Sequence, residues 1–161
     1  MAAAVRNAGL CTVKVQFPGD SIETLGYTRN GAEVSEHAYH EDVAGDQNGG
    51  DAGPPIDVQY LGATAHIRLD MTKVDIAVMA KIRARLDGAT FGTPSTPGTF
   101  MFSGTKDFRL ILDSPNDPRN FPRVIARNEI SSNNGTKYQS WSLELEAHKN
   151  DSGVLENTTV S

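Results

Sequence analysis

The chain has 161 residues and a mass of 17.3 kDa, the size of one domain around one hydrophobic core, so two independent domains are not expected. Hydrophobic residues make up 38% and charged residues 22%, and no apolar run approaches the ~18 residues that a membrane helix needs, so insertion into a membrane is not expected. With 15 Lys and Arg against 20 Asp and Glu, the formal charge is -5 and the isoelectric point is near 5.3, which argues against a protein that works by neutralising phosphates.

Met1 to Leu10 reads MAAAVRNAGL, which lacks the apolar run of about 7 to 15 residues that makes a secretory signal. Secretion by that route is not expected, and the sequons at Asn134 and Asn157 read as a turn and a polar tail. Cys11 is the only cysteine, so no internal disulfide can form, while a bond between two copies stays open. From Cys11 to Phe17, Val13, Val15 and Phe17 alternate with Thr12, Lys14 and Gln16, as a half-buried strand requires, and Pro18-Gly19-Asp20 stops it. A second strand is expected over Ile22 to Thr28, with Asn30-Gly31 as a two-residue hairpin turn, and a weaker strand over Glu33 to His40. Glu41 to Pro55 holds four acids, four glycines, two prolines and no base, so it reads as a flexible loop.

Asp57 to Met71 is the clearest strand, with Ala65, Ile67, Leu69 and Met71 on one face and Thr64, His66, Arg68 and Asp70 on the other. The period changes at Thr72. Val74, Val78, Ile82 and Leu86 recur every four residues beside Met79, which predicts one short helix with a capping-box-like start at Thr72 and Asp75 and a stop at Asp87-Gly88. Residues 89–105 read as a long loop anchored by Phe100-Met101-Phe102. Strands are then expected over Asp107 to Asp113, Arg123 to Ile130 and Thr136 to His148, the last two joined by a turn at Asn133-Asn134-Gly135. Trp141, Leu143, Leu145 and Ala147 alternate with Ser140, Ser142, Glu144 and Glu146, so the final strand is amphipathic. Residues 149–161 form a polar tail, and there is no internal repeat. The sum is a single mainly β domain over 1–161, an antiparallel β-sandwich or barrel with one helix packed at its edge.

The chain has no GxSxG elbow, no phosphate-binding GxxxxGK[ST] loop, no HExxH and no paired CxxC, so no catalytic residue, metal or cofactor is assigned and an enzyme is not expected. His37 and His40 lie near Glu36, Glu41 and Asp42, but residues three apart on a strand face opposite sides, so the set reads as a polar strand end. His66 beside Arg68 and Asp70 reads as a solvated face. Gly45 to Gly53 is glycine-rich without the strand-to-helix setting of a phosphate cradle. Arg119, Arg123 and Arg127 recur every four residues; Pro118 and Pro122 argue against a helix, and on a strand Arg123 and Arg127 fall on the same side. They are candidate contacts between subunits, with Glu41, Asp42, Asp46 and Asp51 as candidate partners, or a merely solvated set.

The order of elements and several strings resemble the tube-forming tail proteins of tailed bacteriophages. These are an opening strand, ETLGYTRNGAEV, a Gly-rich excursion into PPIDVQYLGATAHIRLDM, the helix VDIAVMAKIRARL, and closing strands that end SWSLELEA. The resemblance covers about Val13 to Ala147 and consists of pattern and short strings. It implies a virion protein made in the host cytoplasm, whose copies form six-fold rings that stack into a tube and conduct viral DNA during ejection. Its implied partners are itself, other tail proteins such as a sheath or terminator, and DNA that passes without specific binding. A bore of this kind takes the polar faces of the two amphipathic strands, with Asp70, Glu144 and Glu146 as candidate lumen-facing residues. An acidic wall repels phosphates, so a low isoelectric point suits a conduit. Two alternatives stay open: a capsid decoration or head-tail connector protein, and a soluble β-sandwich binding module.

Overall fold

The structure is a computed structural model and describes residues 11–45, 49–86, 97–98, 100–103, 105–114, 118–127, 129–134 and 139–157. The helix stop at Asp87-Gly88, most of the 89–105 loop, Gly135 of the second turn and residues 158–161 lie outside the described residues. Alternating apolar residues set the strands: β1 is Thr12–Gln16, β2 Glu23–Val43, β3 Asp57–Val74, β4 Phe108–Asp113, β5 Arg119–Ile125, β6 Ile130–Asn134 and β7 Gln139–Ala147. The helix α1 spans Ile76–Leu86 and follows β3 directly.

All pairings among the described strands are antiparallel, in the order β3-β2-β1-β4-β5-β7-β6. A further pairing, β3 to β7 from Ala65↔Ala147 to Met71↔Trp141, closes the sheet on itself. Of the sandwich and the barrel expected from sequence, the fold is therefore the barrel. The free edge of β7 is shared: β5 takes its end at Val124↔Ala147, and β6 takes its start from Asn134↔Gln139 to Ile130↔Leu143. The expected single strand over Arg123 to Ile130 is thus two strands, β5 and β6, and the first of them begins earlier, at Arg119.

The inward residues fill the barrel. Val13, Val15, Leu25, Ile67, Leu69, Leu110, Phe121, Val124, Leu143 and Leu145 are fully buried, and burial of each such side chain contributes about 2 kcal/mol of transfer free energy. Cys11 is also buried, and burial, then the nearby Asp113 charge, pushes its thiol pKa up. The helix lies across the barrel end where β1 finishes and β2 begins. Val78, Met79 and Ile82 join the core, Arg85 lies 4.6 Å over the Phe17 ring, and Lys81 reaches Glu23 at 3.3 Å. Burial lowers the Arg85 pKa, opposed by the charges of Asp107 and Asp20.

The helix start differs from the expected capping box. Thr72 belongs to β3, and Asp75 alone caps α1, accepting backbone N–H bonds from Ala77 at 3.0 Å and Val78 at 3.4 Å. Loss of an N-cap costs about 1 kcal/mol, so Asp75→Ala is expected to lower the melting temperature by about 3 °C. Asp75→Asn should restore most of it. Equal melting of wild type and Asp75→Ala would sink this assignment.

Two expectations fail in β2. Asn30-Gly31 does not reverse the chain, because β2 continues through it and pairs with β3 on both sides, at Thr28↔Met71 and Ala32↔Leu69. The intervening residues face only Asp70 of β3 and form a bulge, with Gly31 at φ 86° and its N–H donated to the buried Thr28 Oγ1 at 3.1 Å. Nor is 41–55 a loop throughout. Glu41, Asp42 and Val43 pair with Gln59, Val58 and Asp57, so backbone pairing orders a stretch whose composition alone cannot. The polar tail is likewise fixed as far as Asn157, which exchanges backbone hydrogen bonds with Asn120.

The strands β2 and β3 outrun the barrel. β7 pairs with β3 only from Ala65 onward, so His37–Val43 and Asp57–Thr64 form a two-stranded ribbon beyond it. Tyr39, Val58, Tyr60 and Leu61 are exposed on that ribbon.

Candidate functional surface

Period-two alternation decides what the barrel shows to solvent. Because Ala65, Ile67, Leu69 and Met71 point inward, His66, Arg68 and Asp70 point outward. The same phase in β7 turns Ser142, Glu144 and Glu146 outward, since Trp141, Leu143, Leu145 and Ala147 are buried. Strand register then aligns these residues in rows across the sheet. Arg68 lies between Glu33 of β2 and Glu144 of β7, and His66 between Ser35 and Glu146. Asp70 stands opposite Ser142, which stands opposite Ser131 of β6.

The three candidate lumen residues Asp70, Glu144 and Glu146 therefore share one outer wall, built by β2, β3, β7 and β6. That wall grades from ionic to neutral. Near the ribbon, Glu146 accepts from Arg127 at 2.8 Å and lies 2.6 Å from His148 Nε2, and Glu144 is 3.9 Å from His66. At the helix end it carries Ser131, Ser140, Ser142, Asn133 and Thr72, which with Asp70, Met71 and Trp141 line a shallow hollow of mixed character. Sequence reasoning missed Glu33 and Glu129, which add two carboxylates. Glu33 was masked by the supposed hairpin turn, and Glu129 by the merging of β5 and β6. Among the described side chains, Arg68 and Arg127 are the cations set against these five acids on the wall, so their sum there is negative.

The other candidate residues separate. Glu41 and Asp42 are exposed on the ribbon, Asp51 lies in a 3-10 turn over Gly50–Ala52, and Asp46 lies outside the described residues. The arginines are engaged within their own chain. Arg119 donates to Glu156 at 2.5 and 2.6 Å and to Glu36 at 2.7 Å, and the Glu156 hydrogen bond holds its pKa above the usual value against the opposing effect of burial. Arg123 pairs with Asp107 at 3.6 Å and Asp151 at 3.0 Å. Their work in one chain is to tie the C-terminal segment to β5.

His37 and His40 face opposite sides of the ribbon, packed edge-on to Tyr39 and Tyr60 respectively. Among the described residues, no three His, Cys, Asp or Glu side chains gather as metal ligands. Nor is any helix among them long and apolar enough to cross a membrane. What the wall can do is physical: it presents negative charge, held at Glu146 and Glu129 by hydrogen bonds from Arg127 and Ser131, to whatever lies in front of it.

No protein-family model matches the sequence, and no curated protein matches it. Among solved structures, the chain is similar to a chain in the tail of an empty GTA particle determined with helical refinement and C6 symmetry. The TM-score is 0.53 and the identity 14%, over 93% of this chain and 96% of that one. It is also similar to a chain in the virion of a native gene transfer agent (GTA) particle, with a TM-score of 0.55 and 14% identity over 97% of this chain and 100% of that one. The likeness is one of fold. It extends over almost the whole of each chain, so the ribbon and the closing strands are compared together with the barrel.

Proposed function

We propose that the protein is a structural subunit of a phage-like virion tail, whose copies join into rings that stack as a tube for viral DNA. The observation that carries this reading is the acidic outer wall of β2, β3, β7 and β6 on a barrel that shares its fold with a chain of a C6-symmetric tail. A wall that repels phosphates prevents the counterion-release binding by which DNA would stick in a bore. In this role Asp70, Glu144 and Glu146 line the lumen, and no catalytic step or cofactor is needed. The partners are copies of the same chain, other tail proteins such as a sheath or terminator, and DNA in transit.

The ribbon supports the same reading. A two-stranded ribbon is at best marginal alone in water, and Tyr39, Val58, Tyr60 and Leu61 leave apolar surface on it. Contact with a copy in the next ring gives that surface cover and joins rings axially. Negative-stain microscopy of the purified protein is expected to show rings or tubes with a central hole. Monomers alone at high concentration would count decisively against a tube protein.

A further inference from the structure

The chain has four histidines, and three of them gather at the ribbon end of the acidic wall. His66 is one of the outward residues of β3, in register with Ser35 of β2 and Glu146 of β7, and its Nε2 lies 3.9 Å from Glu144. His37 stands at the foot of the ribbon, opposite Thr64. The Thr64 hydroxyl is 3.4 Å from that of Tyr39, and the His37 ring packs on Tyr39 at 4.5 Å, so these three share the face that carries His66. His148 follows β7 and keeps its phase: Ala147 is buried, and the His148 Nε2 lies 2.6 Å from Glu146 Oε1. His40 is set apart, on the other side of the ribbon against Tyr60.

The charges that face these rings follow from the register. Around His66 they are Glu33 of β2, Arg68 of its own strand, and Glu144 and Glu146 of β7. Around His148 they are Glu146 and Arg127, which donates to the same carboxylate oxygen, with Arg123 over the Phe102 ring that His148 meets edge-on. Near His37 they are His66 and, as the next acid along β2, Glu41. Histidine is the side chain that ordinarily changes charge between about pH 5 and 8, whereas free carboxylates lose theirs only near pH ~4. Cys11 adds nothing in that window, because burial pushes its thiol pKa up. Three of the four imidazole protons therefore land on one wall. Its five described carboxylates, Glu33, Asp70, Glu129, Glu144 and Glu146, exceed Arg68 and Arg127 by three, and three protonated rings cancel that excess.

We infer that the wall is a pH-dependent surface, whose repulsion of DNA is switched off when His37, His66 and His148 take up protons. This rests on the reading above that DNA passes in front of the wall. Near pH ~8 the rings are neutral and the wall pushes phosphates away; below pH ~6 its described charges balance and the push is lost. The switch is repeated in every subunit, so its effect on a long polyanion accumulates along a tube.

Assembled tubes mixed with short double-stranded DNA in about 50 mM salt test it, with retained DNA measured at about pH 8 and about pH 5.5 and the tubes checked by microscopy at both. Wild-type tubes are expected to retain at least about tenfold more DNA at the lower pH. The double variant His37→Gln, His66→Gln should lose most of that rise, and it should melt as wild type does because both rings are open to solvent. His148 is left in place because it packs on Phe102. His40→Gln, on the other side of the ribbon, should keep the full rise. Equal retention by wild-type tubes at the two pH values, a rise in the double variant as large as in wild type, or tubes that dissolve at the lower pH would each overturn the inference while leaving the tube reading intact. Absence of tubes at both pH values overturns both.

Discussion

Tubes of the Asp70→Lys, Glu144→Lys double variant are expected to retain double-stranded DNA that wild-type tubes release. Both residues sit on the outer wall, Asp70 opposite Ser142 and Glu144 opposite Arg68, and Glu144 is only 31% exposed at its side chain. Each substitution changes the local charge by two units, and a ring repeats the change once per subunit. With Arg68 no longer flanked by Glu144, the described wall would carry four cations, Arg68, Arg127 and the two new lysines, against Glu33, Glu129 and Glu146. Retention should fall steeply with salt, because roughly one counterion is released per phosphate contact and several contacts lose about a thousandfold in affinity between roughly 50 and 200 mM. Folding should survive, since like charges across a strand pair cost only about 0.5 kcal/mol. The neutral pair Asp70→Asn, Glu144→Gln provides a control for folding and assembly. If well-formed variant tubes pass DNA as wild-type tubes do at every salt concentration, the wall does not face the bore.

Gly26→Ala should be the most damaging single methyl group in the barrel. Gly26 sits in β2 between Val13 of β1 and Val74 of β3, at φ 156°, and a Cβ there would stand 1.7 Å from the Lys73 carbonyl oxygen. The obstacle is backbone, so β3 itself must retreat, and β3 carries the pairing to β7 that closes the sheet. We expect a loss of about 4 kcal/mol, read as a fall of about 10 °C or more in melting temperature. Gly62 separates space from backbone conformation. It has φ 149° but nothing within 4 Å of its would-be Cβ, so Gly62→Ala should cost about 1 kcal/mol. Equal damage at the two positions would show that the conformation, and not the close approach, is what matters.

The strands were readable wherever one face is core and the other wet. Val13 and Val15 in β1, Ile67 to Met71 in β3 and Trp141 to Ala147 in β7 declare their burial by alternation alone, and the helix by its four-residue repeat. The acidic face around Asp70, Glu144 and Glu146 followed from the same alternation. What could not be read was pairing. Asn30-Gly31 has the chemistry of a hairpin turn, but continuous partners in β3 on both sides make it a bulge. Glu41 to Val43 look like loop by composition and are strand because Asp57 to Gln59 lie opposite them. Arg119, Arg123 and Arg127 looked like a set by spacing, yet their carboxylates come from residues as distant as Glu36 and Glu156. Closure is of the same kind, since nothing local in β3 or β7 states that the two are neighbours.

The ribbon has one further consequence. Between Arg29 and Arg68 the sequence contains no lysine or arginine, while Glu41, Asp42 and Asp57 stand on the ribbon itself. Its strand edges are open, and an open edge invites pairing with an identical edge. Two ribbons brought together would confront the carboxylates of Glu41, Asp42 and Asp57 with one another, and the ribbon strands themselves supply no cation to relieve them, although Lys149 reaches to 4.6 Å from the Tyr60 ring. Symmetric, tip-to-tip pairs are thereby disfavoured, which leaves contacts with a different part of another molecule. A protein that refuses its own mirror contact adds each new copy in the same direction as the last, and so gives its assembly a front and a back.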